Sequence, residues 1–288
     1  MVLILKLKTT KTKNCLGGED KYLNSGFATL NLNRNLWGSM KENTDIFGHN
    51  FSIMILFKGL RNGQRNILLS PEESHHCLKV TRHKLGDIVL VSDFEGIIWS
   101  GRIVGTVKDQ CDIEIIEISK EIKVKGGKVS IAVSLTNHLD RFEWFLEKAV
   151  ETGADQIYPM VCARTENHKE KRERWEKIIL SAAKQTLRPS LPILEPLINF
   201  EALLKTNSTA QRFICHCEDG ADQFIGSVYN SNQDVIVLVG PEGDFSSSEI
   251  SNSLLAGFKE VNLGDFRLRT ETAAIASCII LQTIKNIK

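Results

Sequence analysis

The sequence predicts an α/β protein in which a small β-barrel or sandwich precedes a larger domain built on a mostly parallel sheet. Short apolar runs separated by turn residues fill residues 54–124. Strands then alternate with helices through residues 125–288, which is typical of a parallel sheet covered on both faces. A joint rich in lysine and glycine, residues 123–128, lies between the two patterns and marks the expected domain boundary.

The composition is that of a globular protein with little net charge. The chain has 288 residues, of which 42% are hydrophobic, and this is enough for a packed core. A formal net charge of +1 means that nucleic-acid binding would depend on local basic patches. Seven cysteines without regular spacing indicate reduced thiols and a cytoplasmic location. No apolar run reaches the roughly 20 residues of a membrane span, so we expect no membrane contact.

Two groups of histidine and cysteine raise the question of a metal site. Residues 75–77 read His-His-Cys, and residues 215–217 read Cys-His-Cys. Adjacent side chains do not converge easily on one ion, and a single C-x-C pair matches no standard zinc spacing. We therefore expect no metal, and we interpret residues 213–217 as a buried strand.

Residues 1–53 differ from the rest of the chain. They show no sustained period of two or of 3.6 residues and contain many polar residues and glycines. Such a segment cannot bury much surface. We expect an N-terminal extension that is disordered or is an artefact of an upstream start site.

The first structured part is predicted from its turn residues. They separate four short strands, at residues 67–69, 88–92, 97–104 and 111–118. Ser70, Pro71 and Glu73 form a helix-start signal, which predicts a short helix over residues 74–80. Arg82 and Lys84 follow this helix, either as a solvated turn or as phosphate contacts.

The second part contains the clearest helix, residues 140–153. Its apolar residues recur at i, i+3, i+4, i+7 and i+8. Asp140 and Glu143 predict a capping box at its start, and Gly153 predicts its end. The other predicted elements are strands at 129–135, 156–161 and 213–217, and helices at 169–187 and 200–205.

One segment could form a basic surface. Residues 164–188 hold eight lysines and arginines against four glutamates. This pattern fits either a solvated helix face with ion pairs or an RNA-binding surface.

Two glycine-containing loops are the strongest sign of a ligand site. The apolar strand at residues 235–239 ends in the turn 240–244, after which Ser246 and Glu249 form a capping box and Phe245 and Ile250 a hydrophobic staple. A second loop begins at Leu263 and Gly264 and leads into a very apolar last helix that ends at residue 287. No phosphate-binding motif and no nucleophile elbow occurs, so a nucleoside-like ligand without phosphates remains open.

These loops resemble the paired signature of the bacterial 16S rRNA uridine-N3 methyltransferases. The resemblance rests on residues 239–246 together with 263–264 and 268–273. Residues 140–153 resemble the family's first helix, and residues 75–87 resemble its N-terminal domain motif. The resemblance implies a SPOUT-type trefoil-knotted parallel-sheet domain at residues 125–288, preceded by a small PUA-like β-barrel, an RNA-binding domain, at residues 54–124.

The same resemblance implies a cofactor, partners and site residues. The cofactor would be S-adenosyl-L-methionine, and the partners would be 16S rRNA or the small ribosomal subunit and a second copy of the chain. We expect Arg269 to orient the base or the backbone, and Glu242 or Glu271 to assist deprotonation. The expected cofactor contacts are Leu238, Val239, Gly240, Pro241, Gly243, Leu263, Gly264, Leu268 and Thr270. The expected RNA contacts are Arg82, Lys84, Arg141, Arg164 and Lys184.

The sequence departs from the family pattern at two places. Residues 136–139 read Thr-Asn-His-Leu where the family usually has a lysine nearby, which puts one substrate contact in doubt. Asp244 replaces what is often a third glycine, and we expect it to stiffen the loop. Two alternatives remain open, a non-catalytic RNA-binding or ribosome-assembly protein and a SPOUT methyltransferase acting on another rRNA or tRNA nucleotide.

Overall fold

A computed structural model describes residues 55–123, 125–206, 210–218 and 220–287. The expectation for the N-terminal extension, residues 1–53, lies outside the described residues. None of the helices in these ranges is both long and apolar enough to cross a membrane.

The first part of the described chain is a closed barrel of five strands. These are β1 (Leu56–Asn62), β2 (Asn66–Leu69), β3 (Ile88–Ser92), β4 (Ile97–Val107) and β5 (Gln110–Glu121). Neighbouring strands are antiparallel, except that β1 pairs in parallel with β3 and so closes the barrel. Four strands were predicted. β1 was missed because its second half, Leu-Arg-Asn, is exposed and lacks an apolar alternation.

A short helix, α1 (Pro71–His75), packs against the barrel and continues as a π-helical turn, His76–Val80. The Ser70 hydroxyl accepts a hydrogen bond from the Glu73 N–H at 3.2 Å, as predicted for the cap. The buried Ser74 hydroxyl accepts from the Cys111 N–H at 2.9 Å and so ties the helix to β5.

The second part is built on a seven-stranded sheet in the described chain, and every strand pair in it is parallel. Its strands are β6 (Val129–Ser134), β7 (Gln156–Val161), β8 (Ile193–Leu194), β9 (Ile198–Asn199), β10 (Gln211–Cys215), β11 (Val235–Val239) and β12 (Lys259–Val261). Their order is β12-β10-β11-β6-β7-β8, and β9 also pairs with β7. The parallel sheet confirms the prediction from the alternating pattern. β6 and β11 are buried along their whole length, as expected for central strands.

Helices cover the sheet. They are α2 (Leu139–Thr152), α3 (Arg172–Gln185), α4 (Phe200–Leu204), α5 (Ile225–Val228), α6 (Ser247–Leu255) and α7 (Thr270–Ile287). α7 packs against α2, α5, β6 and β11. Because α7 contacts both central strands, its N-terminal turn lies near the loops that leave them.

The start of α2 differs from the prediction. The N-cap residue is His138, without a side-chain cap, so the predicted capping box of Asp140 and Glu143 is wrong. Glu143 instead accepts from Arg174 Nη2 of α3 at 2.6 Å. Glu143 therefore forms an ion pair with a distant residue instead of the predicted local capping box. Gly153 ends the helix with φ of 95°, as predicted.

The barrel and the sheet domain contact each other through α3 and the segment after it. The Lys184 ammonium lies 2.6 Å from the Glu73 carboxylate, and both side chains are largely buried. Lys120 Nζ donates to the Leu187 carbonyl at 2.7 Å, and the Gly96 N–H donates to the Pro189 carbonyl at 2.9 Å. Lys184 thus spans the junction.

Candidate active site

Three adjacent parallel strands, β10, β11 and β12, deliver three loops to one edge of the sheet. Cys215 of β10 is in register with Val239 of β11 and with Val261 of β12. Because parallel strands end at the same edge, the loops that follow lie side by side. Together with the first turn of α7 they enclose a cavity of about 670 Å³, here called the loop cavity.

Most of the predicted cofactor residues line the loop cavity. Those that do are Val239, Gly240, Pro241, Gly243, Leu263, Gly264, Leu268 and Thr270. Leu238 does not, because it is fully buried in a hydrophobic cluster that includes Phe245 and Ile250. The geometry thus brings together two segments that are more than 20 residues apart in the sequence.

The three predicted catalytic residues lie in different environments. Glu242 and Arg269 both line the loop cavity. The Glu242 carboxylate accepts from the Asn137 N–H at 3.1 Å and lies 3.8 Å from Arg141 Nη1. Glu271 is buried and does not line the cavity, and its Oε2 has no hydrogen-bond partner within the described ranges.

The loop after β11 is held in place by acidic side chains. Asp244 has φ of 62°, a left-handed conformation that suits a glycine-like position. Its Oδ2 accepts from the Cys217 N–H at 2.8 Å, and its Oδ1 accepts from the Phe245 N–H at 2.8 Å. Asp244 therefore joins the loops after β10 and β11. This matches the expected stiffening.

The predicted capping box of α6 is confirmed and has a further partner. Ser246 and Glu249 bond reciprocally. The second oxygen of the Glu249 carboxylate accepts from the Ala163 N–H at 2.8 Å, across the sheet edge. At Gly240, an added Cβ would lie 3.1 Å from the Phe245 ring, so a larger residue would fit only if this ring shifted.

The predicted RNA contacts fall into four places. Arg141 lines the loop cavity. Arg164 Nη1 donates to the Gly243 carbonyl at 2.7 Å and to the Phe245 carbonyl at 3.1 Å, so it supports the glycine loop. Lys184 lies at the barrel junction, whereas Arg82 and Lys84 are exposed on the barrel.

The loop after β10 is the part of the site that the sequence did not reveal. Residues 213–217 were interpreted as a buried strand, but β10 ends at Cys215, and Cys217 is exposed in the cavity wall. Partial burial raises the pKa of the Cys217 thiol, as does Asp244, while Arg267 opposes the shift. The C-x-C spacing in the sequence did not indicate that Cys217 would line a cavity.

The chemistry of the lining combines an apolar slot with charges of both signs. Val239, Val261, Leu263, Leu268 and Ala273 provide the apolar surface. The charged members are Arg141, Arg267, Arg269, Glu218, Glu242, Asp244 and Asp265. Such a lining suits a ligand with a flat apolar base at one end and a zwitterionic group at the other. In the described part of the chain, no three His, Cys, Asp or Glu side chains are grouped as metal ligands.

Comparison with known proteins decides the family. A family model described as an RNA methyltransferase domain matches residues 124–282, and one described as an RNA methyltransferase PUA domain matches residues 69–116. The ribosomal RNA small subunit methyltransferase E of Mesomycoplasma hyopneumoniae is 32% identical over 217 residues, which cover 74% of this chain and 92% of that protein. The chain belongs to the ribosomal RNA small subunit methyltransferase E family.

Solved structures of the family share the fold. The enzyme of that name from Neisseria gonorrhoeae, bound to S-adenosyl methionine, is 28% identical, with a TM-score of 0.71 over 80% of this chain and 97% of that one. A probable rRNA-methyltransferase from Porphyromonas gingivalis is 33% identical, with a TM-score of 0.73 over 81% of this chain and 99% of that one. These likenesses confirm the predicted fold class, a SPOUT-type domain preceded by a PUA-like barrel.

Proposed function

We propose that this chain transfers a methyl group from S-adenosyl-L-methionine to N3 of a specific uridine in 16S rRNA. The observation that carries the proposal is the loop cavity at the ends of β10, β11 and β12, in a chain of an rRNA methyltransferase family. We propose the domain limits of residues 54–124 and 125–288 for the RNA-binding and methyltransferase parts. A ribosomal substrate agrees with the cytoplasmic location expected from the sequence.

The residues of the loop cavity fit this cofactor. A volume of about 670 Å³ lies within the range of sites for small molecules. Backbone groups of the glycine loops would contact the adenine edge, and Val239, Leu263 and Leu268 would cover its faces. Arginines and carboxylates at the mouth would hold the amino-acid end. The bound cofactor would supply an electrophilic methyl group on its sulfonium.

The protein's own contribution is to position the acceptor base and to remove its proton. N3 of uridine carries a proton and lies in the base-pairing edge, so the base must be unpaired or flipped out of a duplex. Arg269 lines the cavity and would orient the base or its backbone. Glu242 also lines the cavity and is held by Asn137 and Arg141, so it would position the loop after β6.

We also propose a homodimer and an RNA surface. α7 exposes Ile279, and the loop before it exposes Phe266, so an apolar face remains that a second copy could cover. Arg82 and Lys84, exposed on the barrel, would contact phosphates of the rRNA.

Two measurements test the proposed function. Titration calorimetry should detect S-adenosylmethionine binding by the full chain, and Arg269→Ala should abolish methyl transfer to small subunits taken from a strain that lacks the protein. A chain that binds the subunits but not the cofactor would be a non-catalytic RNA-binding or assembly protein. Methylation at another position or in tRNA would support the other alternative.

A further inference from the structure

A second, shallower depression of about 520 Å³ adjoins the loop cavity. It is lined by Asn137, Glu166, Asn167, His168 and Lys169, and is here called the polar depression. The backbone N–H of Asn137 donates to Glu242, and Glu242 lines the loop cavity. The linings of the two spaces are therefore in direct contact.

The segment that carries the depression is also anchored to the glycine loop. Arg164, at the start of the segment, donates to the Gly243 and Phe245 carbonyls. Thr165 is buried, and its hydroxyl lies 2.7 Å from the Ser134 hydroxyl at the end of β6. The side chain of His168 is fixed in turn, since its Nε2 lies 2.8 Å from the Thr165 carbonyl. The site that holds the methyl donor thus also positions His168.

The hydrogen bond of His168 decides its tautomer. A carbonyl oxygen can only accept, so Nε2 must carry the hydrogen, and the lone pair of the neutral imidazole is on Nδ1. Within the described ranges, no residue bonds to Nδ1. His168 therefore lines the polar depression and has one ring nitrogen that is available as an acceptor.

The other candidate bases are less available. The Glu242 carboxylate already accepts from the Asn137 N–H and lies beside the Arg141 guanidinium. These contacts occupy the carboxylate oxygens that a base would need in order to accept a proton. Glu271 does not line the loop cavity. Histidine, by contrast, changes its protonation near neutral pH, as a general base for this reaction should.

We infer that the polar depression receives the acceptor uridine, with His168 as the general base and Lys169 as a phosphate contact. The inference rests on the proposed function. The N3–H bond breaks, and its proton goes to Nδ1, which leaves an imidazolium. The freed electron pair on N3 forms the new bond to the methyl carbon as the carbon–sulfur bond breaks, and S-adenosylhomocysteine leaves. The imidazolium then returns its proton to water.

The charged groups around His168 suit this role. Glu166 and Lys169 line the same depression, and the Lys169 ammonium would pair with an RNA phosphate. Asn137 lines the depression and offers an amide N–H donor, which matches the O4 of uracil. This assigns a substrate contact to the segment that lacks the family's usual lysine.

The first test is single-turnover methyl transfer to small subunits from a strain lacking the protein, with saturating cofactor. His168→Gln should lower the rate constant by about 100-fold or more. Cofactor binding, measured by calorimetry, should stay within about twofold, because His168 lies outside the loop cavity. The dependence of the rate on pH should differ between the wild type and the variant, because the variant lacks the proton acceptor. A variant with the wild-type rate and pH profile would overturn the inference.

The second test measures RNA binding without cofactor. Lys169→Ala should weaken binding of these subunits several-fold and reduce the slope of log K against log salt concentration by about one. Lys259 of β12 is also exposed, and Lys259→Ala should change neither the affinity nor the slope. Equal behaviour of the two variants would overturn the phosphate contact. If the wild type itself transfers no methyl group, the proposed function fails. If the wild type is active, His168→Gln keeps the wild-type rate and Lys169→Ala keeps the wild-type affinity for the subunits, only the inference fails.

Discussion

Gly264 lies in the third loop of the loop cavity and has φ of 125°, a conformation that other residues rarely adopt. Nothing lies within 4 Å of the place where a Cβ would sit, so Gly264→Ala introduces strain without a clash. We expect the free energy of unfolding to fall by about 1–3 kcal/mol and the affinity for S-adenosylmethionine to fall with it. Urea unfolding and calorimetry measure the two effects. Gly105→Ala is the control, because Gly105 is equally open but has no positive φ. If both variants unfolded at the same urea concentration, the prediction of backbone strain at Gly264 would be wrong.

Cys217 provides a chemical reporter of the same cavity. It is exposed, whereas Cys162, Cys215 and Cys278 are buried, and burial raises the pKa of Cys215 to about 12 and that of Cys278 to about 11. A thiol reagent attacks the thiolate, so labelling of Cys217 should be slow at neutral pH and should accelerate as pH rises toward its raised pKa. S-adenosylmethionine should protect it. Mass spectrometry of native protein, with Cys217→Ser as control, measures this; labelling that the cofactor leaves unchanged would place the cofactor elsewhere.

The start of α6 is the element on which the glycine loop depends most. Glu249 is buried and accepts from the N–H groups of Ser246 and Ala163. Glu249→Ala leaves these donors without partners, and we expect the protein to lose about 2–3 kcal/mol of stability. The exposed Glu201→Ala in the first turn of α4 should change stability by less than about 0.5 kcal/mol. Thermal or urea unfolding compares them, and similar losses would argue against the bond network.

Elements with a strong local signal could be predicted from the sequence. β11 and β7 have the predicted bounds, and the capping box of Ser246 and Glu249 is present, because each depends on residues that are close in the chain. The bounds of the strands β1 and β12 were not predicted from the sequence. β1 is stabilised by pairing with β2 and β3 rather than by its own pattern, and β12 has only three residues.

The site itself was predictable only where a motif repeats the family's pattern. The loops at Gly240 and Gly264 were found, and the structure brings them to one cavity. Contacts between distant residues were not found. The Arg164 guanidinium donates to the Gly243 carbonyl, and Asp244 accepts from the N–H of Cys217, which lines the cavity. Charge and spacing along the chain contain no information about such pairs.

The assembly of the whole molecule makes a separate prediction. Ile279 is 47% exposed on α7, an unusual position for an apolar residue on the helix that closes the site. If α7 forms the dimer interface, Ile279→Glu should convert the dimer to a monomer in sedimentation experiments. Leu60→Glu is the matched control, since Leu60 is 70% exposed on the barrel. A wild-type chain that sediments as a monomer, or an Ile279→Glu variant that stays dimeric, would contradict this interface.

We propose that this chain methylates N3 of one uridine in small-subunit rRNA. The most direct test is mass-spectrometric mapping of that rRNA from a strain lacking the protein, with the wild type or Arg269→Ala restored. We expect one N3-methyluridine to be absent in the deletion strain, to return with the wild type and to stay absent with Arg269→Ala. An rRNA modification pattern that is identical in the deletion and wild-type strains would contradict the claim.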